Sequence, residues 1–274
     1  MPVILGIALL LSAHPAVAHG LDAHLTPQLP LILSALLLGA AWLLYCLGAR
    51  RVRSHDREAL WLHLAMAIAV LAVFGPLDDW AETSTSWHMF QHMLFMLAIA
   101  PLWALARPLP QWRAVCGQLL QPIWRGLLRI GRYPMPLALL HGALIWIWHT
   151  PSLYILALEN FWWHMLEHAS FLFSAWLFWW ACLRATPQQV PQALLALLLT
   201  LMHTGLLGAL LTFGNSSFYG EHRDIADQQL AGLLMWVPGG LVYLAGAGWI
   251  TWRWLGRSWR RTTRPFVPDN DRTV

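Results

Sequence analysis

The stretch QALLALLLTLMHTGLLGALLTF, Gln192 to Phe213, holds 22 residues without one charged side chain. At 1.5 Å per residue a helix of that length matches the roughly 30 Å hydrocarbon core of a bilayer. Positions 29–49, 59–77, 87–106, 136–157, 162–183 and 229–252 supply six further apolar runs of about the same length. Composition agrees. Of the 274 residues 58% are hydrophobic and 11% charged, whereas a soluble domain carries about 25% charged residues. Mean hydropathy is +0.52. The expected fold class is all-α: a polytopic membrane helix bundle of about seven transmembrane helices after an N-terminal signal-like segment.

The chain has no lysine, so arginine supplies every fixed positive side chain. Arg50, Arg51, Arg53 and Arg57 follow the first run. Arg107, Arg113, Arg125, Arg129 and Arg132 follow the third, Arg184 the fifth, and Arg253, Arg257, Arg260, Arg261, Arg264 and Arg272 the last. If the runs alternate in direction, 16 of the 17 arginines share one side, and only Arg223 lies on the other. The positive-inside rule makes that side cytoplasmic. Asp78, Asp79, Glu82, Glu159, Glu221, Asp224 and Asp227 then face outward. The localisation expected is a bacterial plasma membrane, N-terminus outside and C-terminus in the cytoplasm. The pI near 9.3 could point to nucleic acid, but basic stretches distributed in this way are topology signals, so no nucleic-acid partner is expected. Cys46, Cys116 and Cys182 fall toward the reducing face and read as small apolar fillers.

Residues 1–18 read as a signal peptide: a short apolar stretch, Pro2 to Leu11, precedes the small-x-small site Ala16-Val17-Ala18. Residues 19–255 are then the helix bundle and 256–274 an arginine-rich tail. Cleavage would expose His19 and His24 near a free amine, a set able to chelate Cu(II).

Two segments repeat one pattern. Trp87-His88-Met89-Phe90-Gln91-His92 opens the third run and Trp163-His164-Met165-Leu166-Glu167-His168 the fifth. Residues four apart share a helical face, so His88 pairs with His92 and His164 with His168, each pair a common half-site for a transition metal. His149, before Pro151, adds an imidazole from a third helix; Pro151 should kink that helix. His141 and His203 lie deeper, as further ligands or a relay. Met89, Met93, Met96, Met165 and Met202 accompany the histidines, and thioether with imidazole suits Cu(I). His164 to His168 also matches H-x-x-E-H, the inverted zinc-protease pattern. Its sister copy has Gln91 where the Glu would stand, so Glu167 reads as an acceptor orienting an imidazole, and no enzyme activity is expected. The metal candidates are His88, His92, His149, His164 and His168, with His141, His203, Met89 and Asp227 behind them.

Beyond these pairs the chain shows Phe74-Gly75-Pro76-Leu77, Trp148-His149-Thr150-Pro151-Ser152-Leu153-Tyr154, Asp227-Gln228-Gln229-Leu230-Ala231-Gly232 and Met235-Trp236-Val237-Pro238-Gly239-Gly240. In this order the motifs resemble the CtaG family of cytochrome c oxidase assembly factors, in its seven-helix bacterial form, over about residues 25–255. The resemblance implies a role in maturing a haem–copper oxidase, with its catalytic subunit as partner and copper as the ion supplied. It does not extend to ligand assignments, nor to His19 and His24. Asp227, opening the last run, reads either as an N-cap carboxylate or as one that completes or orients the pocket. Two other functions use the same residues: a copper transporter, for which His141, His203 and His63 would mark a path inward, and a haem-binding membrane redox protein with histidines as axial ligands.

Overall fold

The computed structural model describes residues 25–117, 120–220 and 223–262. The signal segment, His19, His24 and residues 263–274 lie outside the described residues. Every described element is a helix. In chain order they are α1 (Leu25–Ala49), α2 (Asp56–Phe74), α3 (Pro76–Thr83), α4 (Thr85–Ala106), α5 (Leu109–Cys116), α6 (Gln121–Ile130), α7 (Pro134–Trp148), α8 (Pro151–Glu159), α9 (Phe161–Leu183), α10 (Val190–Thr212) and α11 (Ile225–Thr262). The all-α membrane bundle is the architecture the sequence leads one to expect.

Among the described residues five helices, α1, α2, α4, α10 and α11, are both long and apolar enough to cross a bilayer. Two of the seven expected runs differ. Helix α9 has the length, 23 residues, but His164, Glu167 and His168 dilute its apolarity. The run at 136–157 is not one continuous helix: α7 stops at Trp148 after 15 residues and α8 begins at Pro151. A kink was expected at Pro151; the structure shows a full break. Pro151 has no N–H, and its ring pushes Thr150 out of the helical region to φ −66°, ψ 138°. The break frees the His149 carbonyl, which accepts a hydrogen bond from the Tyr219 hydroxyl at 3.4 Å.

Proline shapes α4 as well. Pro101 cannot donate to the ladder, and just before it, at Leu94–Ile99, the helix widens into a π-turn. The Ala100 N–H reaches back to the Phe95 carbonyl, an i→i+5 bond that relieves the crowding a proline ring imposes on the preceding turn. The stretch 107–133, which reads as a connection, folds into the short helices α5 and α6.

Helix α9 is the hub. It packs against α7 and the second half of α4, and its residues from Ser174 to Cys182 are all buried. Trp179 stacks on Tyr243 of α11, centroids 5.6 Å apart, and donates its indole N–H to the Met96 carbonyl at 2.9 Å. Helices α10 and α11 run closest together, where Gly208 and Gly232 face each other. A Cβ on Gly232 would lie 2.5 Å from the Gly208 carbonyl oxygen. Small residues permit such backbone approach in membrane bundles.

The charges separate by end. Arg51 bonds the Ala114 carbonyl at 2.7 Å, Arg107 lies 3.6 Å from Glu58, and Gln189 bonds the Arg132 carbonyl at 2.8 Å. These tie the α1–α2, α4–α7 and α9–α10 connections together as one arginine-bearing end. The opposite end carries α3, α8 and the first turns of α4, α9 and α11.

Candidate metal centre

The first turn of α4 is fixed before its histidines appear. Ser84 caps it, its hydroxyl accepting from the Trp87 N–H at 3.3 Å. From α11 the Asp227 carboxylate accepts from the Ser84 hydroxyl at 3.0 Å, the backbone N–H groups of Thr85 and Ser86, and the Ser86 hydroxyl. Four donors at a helix N-terminus suit one carboxylate, because that end carries unsatisfied N–H groups and partial positive charge. Arg223 bonds the Glu82 carbonyl at 2.8 Å and the Thr85 hydroxyl at 3.3 Å. Rotation of α4 is set further by buried Gln91, whose amide donates to the Ala72 carbonyl at 2.7 Å and to Asp78 at 2.8 Å. Burial pushes the Asp78 carboxyl up to about 6, against the opposing pull of the Gln91 hydrogen bond.

With α4 so placed, His88 and His92 project toward α9. Their rings are 4.2 Å apart and edge-on, and those of His164 and His168 are 4.1 Å apart and tilted, the one-turn proximity expected of i, i+4 pairs. The two helices face each other there: His88 stacks on His164 at 5.4 Å, and His92 meets His168 edge-on at 5.4 Å. Between them lies Glu167, one carboxylate oxygen 3.7 Å from His88 Nε2 and 3.5 Å from His92 Nε2. Ligand atoms of His88, His92, His164 and Glu167 all fall within 4.8 Å of one another. Four donors bound tetrahedrally at about 2 Å sit about 3.3 Å apart, so a small inward rotation of side chains would close this set on an ion.

The group is dry. His88 and Glu167 are 0% exposed and His92 1%; His164 is half-buried. Among the described residues neither nitrogen of His88 or His92, nor His164 Nε2, nor either Glu167 oxygen has a hydrogen-bond partner. Buried polar atoms left without partners each cost free energy, and a buried carboxylate costs most. A cation, or a proton shared with an imidazole, would neutralise this one.

The remaining candidates occupy different places. His168 touches both His92 and His164 but lies outside the four-atom group, packed on Phe95 at 4.6 Å. His149 sits beside it, its ring 6.4 Å from His92. Its Nδ1–H donates to the Ile145 carbonyl at 2.7 Å, and its Nε2 rests 3.2 Å from Met89 Sδ. His141 is deeper, fully buried, stacked on Phe178 and 2.9 Å from the Ser174 hydroxyl. His203 lies against Gly142, whose Cβ, if present, would be 2.6 Å from His203 Nε2. Asp227 orients α4 and stands apart from the imidazoles. Sequence reasoning placed Glu167 behind a histidine; the structure puts it between two. The signal was available, because 164 and 167 are three apart and share a face with 168. Tyr154 lies over the group, its ring 5.1 Å from His88 and stacked on Tyr219 at 3.7 Å. Burial pushes the Tyr219 phenol up, so it stays protonated.

Fold and site together define a multi-span membrane protein with a buried histidine–carboxylate cluster near one end. The model of the cytochrome c oxidase caa3 assembly factor family, Caa3_CtaG, matches residues 43–257. The chain belongs to that family. Neither a curated protein nor a solved structure matches the chain.

Proposed function

We propose that this protein serves assembly of a caa3-type cytochrome c oxidase by holding one copper ion on His88, His92, His164 and Glu167 and passing it to the oxidase catalytic subunit. It acts without catalysis of its own, and the copper is cargo. The observation that carries the reading is the Glu167 carboxylate, buried among three imidazoles with no hydrogen bond among the described residues. Imidazole nitrogen suits copper, and the thioether of Met89 beside His149 offers a soft contact for the reduced ion as it moves. A haem–copper oxidase needs copper on buried imidazoles, so a donor with ligands at a similar membrane depth can exchange them one at a time and keep the ion from water. Arginine distribution supports a position for the cluster toward the outer face of a bacterial plasma membrane.

The test is copper content. Detergent-purified protein loaded with Cu(I) and dialysed should retain about one ion per chain. Glu167→Gln should weaken retention at least ~10-fold, the range for loss of one anchoring group at a metal site, and His88→Ala with His164→Ala should abolish it. Oxidase from a strain lacking the protein should contain haem but little copper. Full copper occupancy there would refute the delivery role, and unchanged retention in Glu167→Gln would refute the site.

A further inference from the structure

Helix α6 has three unlike faces. Trp124 is buried and Leu127 half-buried, and Gly131 at the end of the helix lies against Trp180 of α9, which a Cβ there would meet at 3.2 Å. That face docks on the bundle. Ile123 and Ile130 are 54% and 48% exposed. Seven residues apart, they share one flank to within about 20°. Arg125, Arg129 and Arg132 are exposed on the other side. Residues 107–133 hold five arginines and no acidic residue. Arg107 has Glu58 at 3.6 Å, but among the described residues Arg125, Arg129 and Arg132 form no ion pair. The Arg132 carbonyl is held by Gln189 at 2.8 Å, which anchors the backbone without engaging the guanidinium.

We propose that α6 is a membrane-surface helix at which Arg125 and Arg129, with Arg132 just past its end, bind anionic phospholipid headgroups while Ile123 and Ile130 dip into the acyl layer. Water satisfies the arginines but not the isoleucines, and hydrocarbon does the reverse. The headgroup boundary satisfies both, and an amphipathic basic helix lies there for that reason. Charge selects the lipid: uncompensated guanidinium groups favour a net-negative headgroup over a zwitterionic one, and Arg pairs phosphate oxygens in fork geometry. A free phosphate would meet the arginines equally well but would leave the isoleucines in water. This inference does not depend on the copper reading.

Native mass spectrometry of the full-length protein, titrated with phosphatidylglycerol or with phosphatidylcholine of the same acyl chains, tests it. Phosphatidylglycerol should bind at least ~10-fold more tightly. Each arginine should contribute about 5-fold, so Arg125→Gln/Arg129→Gln/Arg132→Gln should lose on the order of 100-fold. The triple Lys variant should bind within a few-fold of wild type, because it keeps the charge. Equal affinity for the two lipids, or an unchanged triple Gln variant, would overturn the proposal. So would loss of binding in the Lys variant, which would show that charge is not what holds the lipid. Displacement of phosphatidylglycerol by equimolar inorganic phosphate would make this a free-anion site instead.

Discussion

The Asp78 carboxyl sits in the first turn of α3, where it accepts from Gln91 at 2.8 Å and burial holds its proton up to about 6. A carboxyl raised in the fold from an ordinary value near 4 stabilises the fold through its neutral form. That contribution is fully present below the unfolded value and is lost as pH rises through about 6. Thermal unfolding in detergent should therefore show the wild type losing stability between about pH 4 and pH 6, apart from slopes due to other groups. Asp78→Asn keeps an acceptor for Gln91 and removes the titration. It should match wild type at pH 4 and exceed it at pH 7. Parallel profiles for the two proteins would show that Asp78 does not titrate in this window. Glu167 teaches a related lesson at the same scale. Its spacing from His164 was legible, but a helical wheel cannot say that α4 would present two more imidazoles to the same carboxylate.

Two helix contacts place the site. Asp227 of α11 clamps the first turn of α4 through Ser84, Thr85 and Ser86, and α11 is itself held to α10 at the Gly208–Gly232 crossing. The second contact predicts a sharp response. Gly232→Ala would drive a methyl to 2.5 Å from the Gly208 carbonyl oxygen and 2.6 Å from the Thr212 N–H nitrogen. Both are backbone, so the helices must separate. Overpacking of that kind costs about 1–3 kcal/mol, read as a fall in the unfolding midpoint. Gly248→Ala on the same helix meets nothing within 4 Å and should leave the midpoint unchanged or slightly raised. Similar midpoints for the two variants would mean that α10 and α11 are not so closely apposed. The break at His149 is also an element-scale result. Proline chemistry marked Pro151 in advance, but whether the helix bends or stops depends on what receives the freed groups, here the Tyr219 hydroxyl.

For the whole molecule the arginines carry the orientation. The structure gathers the connections bearing Arg51, Arg107 and Arg132 at one end and Arg223 with Asp227 at the other. In a living membrane the first end should be cytoplasmic. Reporter fusions at Arg53, Arg113 and Arg257 should give cytoplasmic signals, and fusions at Glu82 and Glu159 external ones. An external signal at Arg113 would invert the arrangement and put the histidine cluster on the cytoplasmic side, which would remove the basis for copper delivery from outside.

The sequence by itself determined the solvent, the helical class, the family resemblance and the pairs of histidines that share a face. Each of these follows from local periodicity, run length or residue order, which one stretch of chain contains completely. Only the tertiary structure decided that α4 and α9 face each other at the same depth, that Glu167 rather than His168 or His149 completes the tightest group, and that Asp227 anchors a helix instead of joining the imidazoles. It alone turned the 107–133 connection into α5 and α6. Relative rotation and depth of two helices depend on side-chain packing between distant segments, such as Trp179 on Tyr243 and Gly208 against Gly232. Spacing within one helix carries no information about those distances.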